Sequence, residues 1–123
     1  KPNLIPHFFT IIKQHGALLA KGRLLGIQFD TLFTDNLYLK IAKNAIEKAE
    51  QLKAIFKEKN YKFFLETDTN QQLIILEDTK LKELRQKISC SFWEKYDDTH
   101  TVVRFATSWA TPQSSIDTLK EIL

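Results

Sequence analysis

Arg104 is the residue whose setting most invites chemistry. It lies in Thr101-Val102-Val103-Arg104-Phe105-Ala106-Thr107-Ser108-Trp109, where alternation predicts a strand with the guanidinium on the face of Val102, Ala106 and Ser108. A charge in a small sheet needs a counter-charge. Arginine's planar fork matches a carboxylate, so the sequence leaves two readings open: an internal ion pair, or a carboxylate brought by a ligand. The chain has three arginines beside fifteen lysines, which sets Arg104 and Arg23 apart from general surface charge. Lys21 and Arg23 pose the same question within Ala17–Phe33, ALLAKGRLLGIQFDTLF. Both project from an apolar helical surface, where they either snorkel to solvent, pair with an internal carboxylate, or meet an anion from a ligand or neighbouring chain.

All three glycines, Gly16, Gly22 and Gly26, fall in this region, although glycine costs about 1 kcal/mol against alanine inside a helix. Close packing of another backbone on the Gly22-x-x-x-Gly26 face would offset that cost, as would the approach of a ligand or second subunit. Neither phosphate-loop spacing, GxGxxG or GxxxxGK[ST], is present. The other reactive residue types form no constellation. His7, His15 and His100 have no metal-ligand spacing and read as surface or helix-end residues, so no metal site is expected. Cys90, beside Phe92, reads as a small hydrophobe, and Asp97-Asp98-Thr99 as a turn. Trp93 and Trp109 are expected in the core or an interface.

Several elements must position these residues. Residues 3–15 read as a helix, with Asn3 as N-cap, Pro6 in the first turn and Phe8, Ile11 and Ile12 as its stripe. Ala17–Phe33 is apolar nearly all round, which predicts burial on several sides. Asp35–Lys59 is amphipathic, with Leu37, Ile41, Ala45, Ala49, Leu52 and Phe56 inward, Asp35 as N-cap and Asn60 as stop. The period then falls toward two. Tyr61–Glu66 and Gln72–Glu77 read as strands about the turn Thr67–Gln71, followed by a helix over Lys80–Lys87, then strands over Ile88–Trp93 and Thr101–Ser108. Thr111-Pro112 reads as N-cap and first position of a last helix carrying Ile116, Leu119, Ile122 and Leu123. Helices followed by ββαββα predict an α+β fold, a small and mostly antiparallel sheet covered by helices.

At 123 residues and 14.4 kDa, with 43% hydrophobic residues, the chain reads as one folded domain. A single cysteine excludes an internal disulfide. The absence of a long apolar run or leader predicts a soluble, cytoplasmic protein with no membrane partner. Residues 1–62 carry 11 basic and 5 acidic side chains, residues 63–123 carry 7 and 10. Most of the basic excess, Lys40 to Lys62, reads as the solvated face of the third helix, not a nucleic-acid surface.

Two segments, Ile12–Arg23 (IKQHGALLAKGR) and Val103–Thr111 (VRFATSWAT), resemble the C-terminal part of the low-specificity threonine aldolases. The resemblance runs over essentially the whole chain, including Phe33–Tyr38. That family belongs with the β-eliminating lyases among the aspartate-aminotransferase-like, fold-type-I pyridoxal-phosphate enzymes. The resemblance implies a homo-oligomer, a tetramer in the family, that cleaves β-hydroxy-α-amino acids such as threonine to glycine and acetaldehyde. By resemblance Arg104 binds the substrate carboxylate, while Arg23 and, less directly, Lys21 face the cofactor phosphate from an adjoining subunit. The Schiff-base lysine and the rest of the cofactor cup find no match among the fifteen lysines and their neighbours. The chain therefore reads as the C-terminal small domain of a larger enzyme, with residues 1–33 linking to or packing on a large domain, and as inactive alone. Two alternatives remain at this stage: a pyridoxal-phosphate lyase that eliminates from another amino acid, and a stand-alone RNA- or effector-binding α+β module. Against RNA stand the missing ribonucleoprotein motifs.

Overall fold

The computed structural model describes residues 4–123, so the expected N-cap Asn3 lies outside the described residues. The chain divides into two compact units, Lys1–Tyr38 and Leu39–Leu123.

In the first unit, the left-handed residue His7 (φ 56°) precedes α1, Phe8–Gln14. Pro6 therefore lies in the turn ahead of the helix instead of its first turn. The single helix expected over Ala17–Phe33 is broken. A short 3-10 turn, Ala20–Gly22, contains Lys21 at φ 59° and ends on Gly22 at φ 71°, and α2 runs from Arg23 to Phe33. Two successive left-handed residues cannot continue a right-handed helix, which explains the break and the need for glycine at the second. Gly16 is left-handed too (φ 65°). A Cβ at any of the three glycines would meet nothing within 4 Å, so the close backbone packing expected on Gly22 and Gly26 does not occur among the described residues. Nor is α2 buried: Leu24, Ile27 and Phe29 are 63%, 52% and 63% exposed. Its apolar character leaves an open apolar surface.

The second unit takes in most of α3, Leu37–Glu58. Asp35 is not the N-cap of α3. It sits at φ 52° inside a 3-10 turn, Thr34–Asn36, that leads into the helix. The C-terminal stop is as expected. Asn60 adopts φ 60°, its amide donates to Lys57 O (3.0 Å), and the Tyr61 amide donates to Phe56 O (2.9 Å). These two bonds satisfy carbonyls that the helix end would leave open. Asn60→Ala is expected to destabilise this unit by about 1 kcal/mol and Asn60→Gly to leave it unchanged or firmer, as read from urea unfolding midpoints.

Strands β1 (Lys62–Leu65), β2 (Gln71–Glu77), β3 (Ser91–Lys95) and β4 (His100–Ala106) form one antiparallel sheet in the order β1-β2-β4-β3. Helix α4 (Asp78–Leu84) follows β2, and α5 (Gln113–Ile122) closes the chain. The expected α+β fold is therefore present, with α3, α4 and α5 on one face of the sheet. There Ile74, Leu76, Val103 and Phe105 pack with Leu52, Ile55 and Phe56 of α3, Leu81 and Leu84 of α4, and Ile116 and Leu119 of α5. Burying each such side chain contributes roughly 1.5–3 kcal/mol. Ile88 and Cys90 pack against this cluster as their alternation indicates, but the strand itself begins at Ser91. The other face of the sheet holds a smaller cluster, Leu73, Ile75 and Val102, and this is the face of Arg104.

Candidate functional site

Strand alternation puts Arg104 on the face of Val102, and pairing sets it opposite Leu73 on β2 and Ser91 on β3. Its Nη1 donates to Gln71 Oε1 at 3.3 Å, and its guanidinium lies 5.9 Å from the centre of the Trp93 ring. The Arg104 Nε is buried without a hydrogen-bond partner. No carboxylate pairs with Arg104 among the described residues. Of the two readings that the sequence left open, the internal ion pair is absent. What remains is a half-buried cation with one neutral acceptor and unused N–H groups, an arrangement that favours an anion from outside.

Trp93 reaches Arg104 through an irregularity in β3. Phe92 pairs with Val103 and Glu94 with Val102, so Trp93 is an extra residue in the ladder. Such a bulge re-aims a side chain, and here it brings the indole over the guanidinium. Neither tryptophan fills the core, contrary to one sequence expectation: Trp93 is 47% and Trp109 68% exposed.

The segment after β4 is pinned to α3. Thr107 Oγ1 donates to Ala45 O (2.6 Å), and the Asn44 amide donates to Trp109 O (3.1 Å) and Ser108 O (3.3 Å). Thr111 Oγ1 accepts from the Ser108 amide (2.8 Å), so it closes this loop and does not cap α5, whose N-cap is Pro112. The polar residues of Thr107-Ser108-Trp109-Ala110-Thr111 thus fix the end of the strand that carries Arg104. Asn44, three residues after Ile41 and half-buried on α3, was not singled out by the sequence.

Lys21 and Arg23 lie in the first unit. Arg23 is the first residue of α2, and Lys21 and Gly22 are the two left-handed residues before it. Both cations are exposed, and neither forms a salt bridge among the described residues. No side chain caps α2, so its first amides share the positive end of the helix with these two cations.

Asp97 and His100 have structural partners. Asp97 accepts from the Thr99 and His100 amides (2.8 and 2.7 Å) and lies 3.0 Å from His100 Nδ1. These bonds, that from the Thr99 amide foremost, hold its carboxyl well below the usual carboxylate range, as a turn-forming Asp requires and a general acid does not. His7 and His15 flank α1 and are exposed. Among the described residues no group of three or more His, Cys, Asp or Glu could hold a metal ion, and no helix is long and apolar enough to cross a membrane.

The chain matches no protein-family model and no curated protein sequence. Among solved structures it is similar to a threonine aldolase from Leishmania major, with 35% sequence identity and a TM-score of 0.86. The chain resembles a threonine aldolase in sequence and in fold alike. That similarity covers 96% of this chain and 34% of the Leishmania one, so the threonine-aldolase-like chain spans about a third of the length of that protein.

Proposed function

We propose that this chain serves a pyridoxal-phosphate-dependent lyase of the threonine aldolase type, and that its share of the work is to bind and orient an amino-acid substrate. The observation that carries the reading is Arg104: a half-buried guanidinium without an internal carboxylate, in a segment that resembles the aldolases. Held on a strand and closed in by Trp93 and Gln71, the fork donates to the two oxygens of an α-carboxylate and fixes the amino acid's rotation about Cα. That rotation decides which bond to Cα can align for cleavage.

The residues at the start of α2 fit the cofactor's phosphate. Arg23 and Lys21 supply two cations without acidic partners, beside a helix end of positive potential. When bound, the cofactor supplies an electron sink for the pair released as the Cα–Cβ bond of threonine breaks to give glycine and acetaldehyde. The lysine that carries the cofactor is not matched in this sequence, so activity belongs to the longer protein. The exposed apolar surface of α2 supports assembly with a further part of that protein or with a second copy, in a homo-oligomer, and a cytoplasmic setting accords with this reading.

The decisive experiment takes the longest open reading frame that contains this chain, adds pyridoxal phosphate, and records the absorbance spectrum before and after threonine and glycine. A cofactor band that shifts with either amino acid, with acetaldehyde released from threonine, is the expected result. Release of ammonia and a 2-oxo acid would move the reading to an eliminating lyase. No cofactor band would overturn it in favour of a stand-alone binding module.

A further inference from the structure

We propose that Gln71 is a positioning residue for carboxylate recognition: it holds one side of the Arg104 guanidinium and leaves the rest free for the substrate. The inference rests on the reading of Arg104 given above and adds to it the residue that sets the fork's geometry and charge.

The argument begins with valence. A guanidinium carries five N–H donors, two of them on Nη1. Gln71 Oε1 takes one Nη1 proton at 3.3 Å, and no other acceptor among the described residues bonds the group. The second Nη1 proton and both on Nη2 remain, beside the buried and unpartnered Nε–H, enough for a forked contact with two carboxylate oxygens. The partner's neutrality matters as much as its position. A carboxylate in place of the Gln71 amide would satisfy the half-buried cation internally and compete with the ligand, whereas an apolar side chain would leave the guanidinium free to turn. An uncharged acceptor fixes orientation and leaves the charge uncompensated.

The backbone supports this placement. Gln71 starts β2 and pairs with Ala106, one diagonal step from Arg104, which pairs with Leu73. Trp93 stands over the guanidinium, so the amide on one side and the indole on another restrict the same group. Gln71 is exposed and lies outside both apolar clusters, so its substitution leaves the core intact.

The test uses the full-length protein loaded with pyridoxal phosphate and measures the affinities of glycine and glycinamide by calorimetric titration. Gln71→Glu is expected to weaken glycine by about tenfold or more while leaving glycinamide, which has no carboxylate, within about twofold. Gln71→Met should weaken glycine by roughly threefold to tenfold, and should add almost nothing in an Arg104→Gln background, because the residue acts through Arg104. Unchanged thermal midpoints would show that the fold is kept. If both Gln71 variants leave glycine binding unaltered, or weaken glycine and glycinamide alike, Gln71 has no positioning role, while a glycine-selective loss in Arg104→Gln would still uphold the carboxylate reading. If Arg104→Gln itself shows no preference for weakening glycine, the carboxylate reading and this inference fall together.

Discussion

Arg104→Lys in the full-length enzyme is expected to lower kcat/KM for threonine by about 30- to 100-fold, with cofactor loading unchanged. The substitution keeps the charge and removes the fork. A lysine ammonium is a compact point donor on a flexible stem, and it cannot offer two parallel N–H groups to the two oxygens of a carboxylate. The loss should reach the chemical step as well as binding. An amino acid held by one contact rotates about Cα, and the bond to be broken is then aligned for a smaller share of the time. Steady-state kinetics, with acetaldehyde release as readout, would therefore show KM raised and kcat lowered together. Absorbance of the bound cofactor in the absence of substrate should match the wild type, because Arg104 is assigned to the carboxylate and not to the cofactor. Equal activity of the two proteins at subsaturating threonine would reject the assignment.

Arg104 also shows how far the sequence could be read. Its strand and its face follow from alternation alone, and so does the conflict between a charge and an apolar neighbourhood. Which resolution applies depends on whether a carboxylate lies across the sheet, and that is a long-range fact absent from local pattern. The two groups that frame Arg104 were hidden for distinct reasons. Gln71 falls among the polar residues that read as a turn, yet β2 begins at that position, which places its side chain on the face of Leu73. Trp93 is itself the unpaired residue in β3, and a strict period of two cannot register such an insertion.

The glycines of the first unit taught the opposite lesson. An apolar stretch with helical spacing suggested one buried helix and a packed glycine face. Backbone conformation decided otherwise, because Lys21 and Gly22 are both left-handed and end any helix that reaches them. The apolar pattern was legible but its partner was not: periodicity reports that a surface will be covered without saying by what. The resemblance to the aldolases supplied what composition and spacing could not, since VRFATSWAT joins Arg104, proposed to face the substrate, to the threonine and serine that tie down its strand.

Phe56→Ala should be the most destabilising single change in the second unit, by about 3–5 kcal/mol. Phe56 is fully buried at 0% exposure, and its ring centre lies 4.9 Å from that of Phe105, 5.6 Å from Tyr61 and 6.4 Å from Phe63. Truncation removes the apolar transfer energy of the ring and leaves a cavity where α3 meets the sheet. The three surrounding rings are held from different elements, β4, β1 and the turn before β1, so no single shift can close the gap. Small domains have roughly 5–15 kcal/mol of stability in total, so the loss is a large fraction of what holds the fold. Phe56→Leu, which keeps most of the volume, should cost about 1–1.5 kcal/mol. Because Phe105 adjoins Arg104 in β4 and faces the opposite side of the sheet, the defect should also reach the site. Urea unfolding would give the ordering Phe56→Ala far below Phe56→Leu, and equal midpoints for the two variants would show that the ring cluster does not hold α3 to the sheet.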